Sequence, residues 1–270
     1  RDILGRETVI EQSFFTSTEL LTPGLNDWSV EAGTVRHDLG VASNNYGAGF
    51  ASGTWRHGHS DVLTLEGHAE LTTSLRTMGM GIVSALPKQV LGQASFVLSS
   101  GSTSGKLLML GLDHEGLHNS LSFQVQRASH NFRQLGQDTT TPPARLQLAG
   151  NWNYATENSG SFGIGLATLS RFDNAPRVTT VSGNYSTRIG EYNNLNLTAS
   201  RAINGTDGTS IGIFFTIPLG NNRIVSASAN SHSGQQDFYV SAMQNPSNEN
   251  NIGWRALAGH QQGQVPAESG

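Results

Sequence analysis

The sequence contains no cysteine among its 270 residues, which excludes disulfides, cysteine-based zinc sites and thiol catalysis. Charge is also scarce, since Asp, Glu, Lys and Arg make up 13% of the chain, against about 25% in ordinary soluble domains. Only Lys88 and Lys106 are lysines, and the arginines are scattered without forming a basic stripe. We therefore expect no nucleic-acid partner, because no surface is arranged to neutralise a phosphate backbone.

Long apolar runs and a secretory leader are missing as well. No stretch approaches the ~20 apolar residues of a membrane-spanning helix. The chain begins at Arg1 without an initiator methionine or signal peptide, and it stops at Gly270 without a terminal signature. The sequence is therefore expected to be an interior fragment of a longer protein.

What the sequence does contain is strict alternation of apolar and polar residues. After Asp61, every second position is apolar or small: Leu63, Leu65, Gly67, Ala69 and Leu71. Thr64, Glu66, His68 and Glu70 stand between them. Because successive side chains of a strand point to opposite faces, the segment predicts a strand with one apolar and one polar face.

The same alternation recurs around Gln124, Asn151, Asn196 and Ile213, with turn residues such as Gly, Asn and Asp between the segments. Roughly sixteen strand candidates of about ten residues can be counted. This spacing is typical of outer-membrane barrels, whose strands alternate apolar-out and polar-in. We predict an all-β fold, namely an antiparallel transmembrane β-barrel that is partial and contributes about 15–16 strands of a larger barrel.

The polar face favours a barrel over a soluble sandwich. It carries Ser, Thr, Asn and Gln with few charges, which suits a hydrated lumen. Aromatic residues near predicted strand ends suit membrane-interface girdles: Trp28, Trp55, Trp152, Tyr154 and Trp254. The predicted lumen-facing residues are Glu66, His68, Glu70, Gln124, Asn151 and Asn196.

Few residues of the sequence indicate a catalytic or metal-binding site. His57 and His59 flank a glycine beside Ser60 and Asp61, but adjacent turn residues do not generally reach triad geometry, so a polar hairpin is expected. Glu66, His68 and Glu70 could form a weak metal or proton site, and the lining of a barrel interior is the alternative that we favour. No nucleotide, zinc-protease or hydrolase motif is present. We expect no enzyme activity, metal or cofactor.

Several colinear segments resemble the outer-membrane ushers of chaperone–usher pili, and the resemblance leans toward the archaic branch. The segments that carry it are DILGRE at 2–7, LLTPGLNDWSVEAG at 20–33, YG at 46–47, FASGTWRHG at 50–58, SDVLTLEGHAE at 60–70 and FTIPLG at 215–220. They span nearly the whole chain, and the run from Leu20 to Glu70 is the most specific.

The resemblance implies a wider barrel in the Gram-negative outer membrane, gated by a plug domain and flanked by periplasmic domains. Residues 1–22 would be the end of the plug and the re-entry segment, 23–260 barrel strands, and 261–270 an interior cut in a loop or next strand. The implied partners of the full-length protein are pilus subunits, periplasmic chaperone–subunit complexes and outer-membrane lipid. This chain would form part of the wall of the pore.

Two other classes of protein remain open on the residues alone. A general outer-membrane porin would have a similar strand pattern, but it would need a constriction loop and a charged eyelet. A surface β-rich adhesin would also be rich in Ser, Thr and Asn, and it would extract without detergent.

The longest predicted loop, residues 133–143, is expected to be extracellular because periplasmic turns are short in such barrels.

Overall fold

The computed structural model describes residues 19–36, 44–137, 144–173, 176–204, 208–220, 222–246 and 252–261. Strands dominate these residues, and they contain no helix. The strands are β1 (Asn26–Arg36), β2 (Tyr46–Ser60), β3 (Leu63–Thr72), β4 (Arg76–Leu86), β5 (Val90–Ser100), β6 (Ser104–Glu115), β7 (Asn119–Ala128), β8 (Ala144–Thr156), β9 (Gly160–Arg171), β10 (Val178–Ile189), β11 (Asn193–Asn204), β12 (Thr209–Gly220), β13 (Arg223–His232), β14 (Gln235–Gln244) and β15 (Trp254–Gln261).

The strand order in the sheet is the chain order, and the neighbours from β1 to β7 and from β10 to β15 pair antiparallel. The meander confirms the predicted all-β antiparallel class, and the 15 strands of the described residues confirm the predicted number. Local turn chemistry supports it: Ser233 and Gly234, between β13 and β14, have φ of 50° and 87°. Two positive φ values match a type I′ hairpin, whose twist suits the flanking strands.

The described residues divide into two compact units. The N-terminal unit comprises 19–150 and 167–177 and so contains β1 to β7 complete. The C-terminal unit comprises 151–166 and 178–261 and contains β10 to β15 complete. Strands β8 and β9 each contribute residues to both units.

A small hydrophobic core lies in the N-terminal unit, where the chain after β7 turns back over the sheet. Its members are Val97, Leu107, Met109, Ala128 and Phe132. Phe132, which is only 3% exposed, belongs to the returning segment, residues 129–137. We call these residues the return segment.

Hydrogen bonds hold the return segment against the sheet at its start and in its middle. The Ser129 N–H donates to the Lys106 carbonyl at 2.8 Å, and the Lys106 N–H donates to Ser129 Oγ at 2.9 Å. Further along, the Arg133 N–H donates to Ser99 Oγ at 3.1 Å. The predicted loop at 133–143 therefore belongs to a longer connection that starts at residue 129, directly after β7.

The predicted domain boundaries stay a prediction, because much of the two terminal segments lies outside the described residues. The strand array was predicted to cover 23–260, and described strands run from Asn26 to Gln261. The motif at 2–7 lies outside the described residues, as does most of the predicted final segment, 262–270. The assignment of residues 1–22 to a plug stays a prediction.

Close approach of the return segment requires a residue without a side chain at Gly105. A Cβ there would lie 2.2 Å from the Phe132 Cα, whereas a Cβ at Gly49 would meet nothing nearer than 3.8 Å. We expect Gly105→Ala to lower the free energy of unfolding by about 1–3 kcal/mol, because backbone must move. Gly49→Ala is the matched control and should change it little. Guanidinium titration of the intact protein in detergent micelles measures both, and equal stabilities would contradict the packing described.

Candidate functional site: the sheltered polar face

The two faces of the sheet have the reverse of the exposure found in a soluble β-sheet. On β5, Ser95 and Ser99 are only 8% and 3% exposed. Phe96 and Leu98, which lie between them in sequence and point to the other face, are 39% and 52% exposed. Polar residues therefore lie on the less accessible side. We call this side the sheltered face and the opposite side the exposed face.

The pairing of neighbouring strands shows that both faces extend across the N-terminal unit. A sheltered row passes from Arg56 through Glu66 and Gly81 to Ser95, each directly opposite the next. The adjacent row on the exposed face reads Gly67, Met80, Phe96, Leu108 and Arg127. The exposed row is thus apolar over most of its width.

The C-terminal unit repeats the reversal. Ser200 and Ser210 are 7% and 5% exposed, while Ile211 and Ile213 are 54% and 46% exposed. One row of paired residues reads Ser186, Asn196, Phe214, Ser228 and Tyr239. The adjacent row on the other face reads Tyr185, Leu197, Ile213, Ala229 and Phe238.

Three predicted lumen-facing residues lie together on β3. Glu66 is 6% exposed, and His68 and Glu70 follow it on the same face by strand alternation. Because Glu66 lies in the sheltered row, all three belong to the sheltered face. The sequence pattern correctly predicted that they share one face.

The other three predicted residues also lie on polar faces. Gln124 pairs with Gly111, which pairs with Gln93 in a sheltered row. Asn196 occupies the polar row of the C-terminal unit. Asn151 is two residues from Asn153 on β8 and so points to the same face. Asn153 lies on the same side of the sheet as the buried Gly163, because its Oδ1 is 2.3 Å from the position that a Cβ at Gly163 would take. Whether these six residues face a lumen stays a prediction at this point.

An ion pair between Arg56 and Glu66 joins β2 and β3 on the sheltered face. The Arg56 Nε–H donates to Glu66 Oε1 at 2.7 Å, and these side chains are 17% and 4% exposed. A second Arg56 nitrogen, Nη2, donates to the Glu19 carbonyl at 2.6 Å. Arg56 therefore compensates the buried carboxylate and also holds the chain that precedes β1.

Glu70 links β3 to the return segment. Its Oε1 lies 3.2 Å from His68 Nε2, and its Oε2 accepts a hydrogen bond from the Leu135 N–H at 3.0 Å. Both oxygens of this carboxylate are thus engaged in structural contacts. Glu66 and Glu70 serve different partners, and across the described ranges no group of three His, Asp or Glu side chains could hold a metal ion.

Residues 19–25 also lie against the sheltered face, which sequence reasoning did not predict. The Leu21 N–H donates to Thr64 Oγ1 at 2.9 Å, and the Gly24 N–H donates to the Gly58 carbonyl at 2.7 Å. A Cβ at Gly58 would lie 2.2 Å from the Thr22 carbonyl oxygen, so only glycine allows this approach. The available signal was the glycine between two histidines, which was interpreted only as a turn.

The histidines of this hairpin make structural contacts. The His57 ring stacks on Trp55 with centroids 5.7 Å apart, and its Nδ1 lies 3.0 Å from Asn26 Oδ1. Ser60 Oγ accepts a hydrogen bond from the Val62 N–H at 3.4 Å. The His57 ring and the Ser60 hydroxyl therefore have structural partners in the described residues, which supports the polar-hairpin interpretation. His57 and His59 lie within β2 and not in the turn, which spans 61–62.

Aromatic side chains gather near the turn between β8 and β9 in the C-terminal unit. Trp152, Tyr154 and Phe162 form a cluster with ring centroids 5.4 to 6.2 Å apart. Tyr154 and Phe162 are 37% and 38% exposed. Clustered, partly exposed aromatics at strand ends are typical of a membrane-interface girdle.

Among the described residues there is no helix with the length and hydropathy to cross a bilayer.

Three solved structures resemble this chain. The P pilus usher (PapC) translocation pore has a TM-score of 0.62 at 18% identity, covering 90% of this chain and 52% of that chain. A crystal structure of the same pore gives 0.64 at 17% identity, with coverages of 90% and 57%. A chain of an E. coli P pilus tip assembly intermediate, PapC-PapD-PapK-PapG, gives 0.74 at 18% identity, with coverages of 91% and 32%.

The chain therefore has an usher-like fold, which confirms at the level of fold the resemblance predicted from its motifs. It spans about half or less of the length of the solved chains that it matches. A scan against protein-family models and a search of curated proteins gave no match.

The Arg56–Glu66 pair provides a direct test of the sheltered face. We expect Arg56→Ala to destabilise the intact protein by about 3–5 kcal/mol, because it leaves a buried carboxylate without its charge partner. The double variant Arg56→Met/Glu66→Leu should recover most of that loss, and Arg76→Ala, at an exposed arginine, is the control. Chemical unfolding in detergent micelles measures all three, and wild-type stability of Arg56→Ala would refute the burial of this pair.

Proposed function

We propose that the full-length protein is an outer-membrane usher of a chaperone–usher pathway, which translocates and assembles pilus subunits, and that this chain forms part of its pore wall. The observation that carries the proposal is the reversed exposure of the two faces on an usher-like fold. A polar sheltered side and an apolar exposed side suit a water-filled pore in lipid.

The exposed face supports the membrane half of the proposal. Met78, Met80, Phe96, Leu98 and Leu108 are between 39% and 71% exposed on three adjacent strands. Soluble proteins rarely leave such a contiguous apolar surface in water, because each Å² costs about 25 cal/mol. In a bilayer the same surface is solvated by acyl chains, while antiparallel pairing satisfies the backbone hydrogen bonds.

The sheltered face supports the transport half. Its polar residues are mainly Ser, Thr, Asn and Gln, and its buried acid Glu66 is neutralised by Arg56. A wall of mainly uncharged hydrogen-bonding groups would offer a passing folded protein few strong binding sites. In this proposal Glu66, His68, Glu70, Gln124, Asn151 and Asn196 face the lumen.

The proposed partners follow from the solved relative and from the limited length of the chain. The tip assembly intermediate contains PapC together with PapD, PapK and PapG. We assign the corresponding partners, a periplasmic chaperone and the pilus subunits that it delivers, to the full-length protein in a Gram-negative outer membrane. Strand exchange between subunits would drive assembly by β-augmentation, so the pore needs neither a cofactor nor an enzymatic step.

Deletion of the gene tests this function in the native host. The expected result is loss of surface fibres with chaperone-bound subunits accumulating in the periplasm, because recruitment continues without an exit. Electron microscopy counts the fibres, and immunoblots of periplasmic fractions follow the subunits. Complementation with the wild-type gene should restore both measurements.

The same strains separate the proposed usher from a general porin. A porin mutant would keep normal fibres and lose permeability to small solutes, which uptake of a small β-lactam reports. Normal piliation in the deletion strain would therefore reject the usher assignment, whatever the permeability.

A further inference from the structure

A groove of about 590 Å³ lies on the N-terminal unit and has no role in the sheltered face. Its lining residues are Phe96, Lys106, Leu108, Arg127, Ala128, Ser129, Arg145 and Phe172. Phe96, Leu108 and Arg127 are direct neighbours in a row of the exposed face. Lys106 lies two residues from Leu108 on β6 and so points to the same face.

The groove concentrates positive charge in a chain that is acidic overall. The full sequence has 16 basic residues and a net charge of −4, yet three cations line this one groove. Among the described residues that line it, none is acidic. Lys106, Arg127 and Arg145 are exposed, and in the described part of the chain they form no ion pair. The groove therefore attracts an anion.

The floor of the groove is apolar. Phe96 and Leu108 are 39% and 46% exposed, and Phe172 forms a wall held edge-on by the His130 ring at 5.1 Å. An apolar floor beneath a rim of cations matches an amphiphile, with its anionic group on the cations and its hydrocarbon on the floor. A free inorganic anion would leave the floor unused.

All three cations stand at the same end of their strands. Lys106 follows the start of β6, Arg127 precedes the end of β7, and Arg145 follows the start of β8. This end of the N-terminal unit carries the long connections, 37–45 and 129–143, whereas the opposite end has only 61–62, 87–89 and 116–118. Long connections are extracellular in outer-membrane barrels, which puts the groove at the outer leaflet.

We propose that this groove binds the phosphorylated head group of an outer-leaflet glycolipid, with its acyl chains along Phe96 and Leu108. On the exposed face the guanidinium group of Arg127 binds phosphate by forked hydrogen bonds and Lys106 adds a point charge. Arg145, which lines the groove from the start of β8, adds a third positive charge. Such basic sites at membrane depth select lipid head groups by charge. The inference rests on the proposed function, because the groove meets this lipid only if the exposed face spans the outer membrane.

The test is native mass spectrometry of the full-length protein in detergent, titrated with diphosphoryl lipid A. Lys106→Gln/Arg127→Gln/Arg145→Gln should bind about 100-fold more weakly than wild type, and Arg127→Gln alone about fivefold more weakly. The matched control Lys88→Gln/Arg188→Gln/Arg201→Gln removes the same charge elsewhere and should bind as wild type does. Heat-modifiable migration on gels verifies that each barrel is folded.

Several outcomes would overturn the proposal. Equal affinity of the groove variants and wild type is one, and equal weakening by the control triple is another. Tight binding of phosphate-free lipid A would show that the basic residues of the groove do not recognise the phosphate groups. Complete competition by inorganic phosphate, or preferential retention of an acidic protein, would show that the occupant is not a lipid. Because binding is measured on purified protein, failure here with fibre assembly intact rejects the groove alone, whereas normal fibres after gene deletion reject the usher function.

Discussion

The reversed polarity of the sheet is the constraint on which the other features depend. On β5 and β12, for example, Phe96, Leu98, Ile211 and Ile213 lie on the exposed face, and a slip of one residue would turn such a set to the other face. On β13, Ser228 and Ala229 are consecutive, yet their neighbours are Phe214 and Tyr239 for the former and Ile213 and Phe238 for the latter. A slip of one residue on β13 would therefore put an alanine in place of Ser228 in the row of Phe214 and Tyr239.

Close packing on the sheltered face adds requirements that alternation alone does not impose. The return segment and the chain before β1 both lie against this face, and each crosses a strand at a glycine, Gly105 and Gly58. The buried carboxylate of Glu66 lies on this face beside its charge partner, Arg56. Lys106 and Arg127, which form no ion pair in the described part of the chain, lie on the exposed face near strand ends, where the proposed lipid head group would neutralise them.

The faces could be predicted from sequence because a period of two is a local property of each strand. For that reason Glu66, His68 and Glu70 were correctly placed on one face. The hydrogen bond from the Leu135 N–H to Glu70 joins residues 65 apart in sequence. Contacts of this kind depend on where a loop returns, which no local pattern specifies. The role of Arg56 was missed because its partner lies on the next strand, and the alternation within one strand does not specify which residues pair across two.

The most direct measurement is a nitroxide scan along β13 of the protein in lipid bilayers. This chain contains no cysteine, so single cysteines at Val225, Ser226, Ala227 and Ser228 are unique labelling sites within it. Collision rates with oxygen, which partitions into lipid, and with a water-soluble nickel chelate are then compared at each position. The account predicts strict alternation, with oxygen favoured at Val225 and Ala227 and nickel at Ser226 and Ser228. Uniform nickel accessibility, or alternation in the opposite phase, would contradict it.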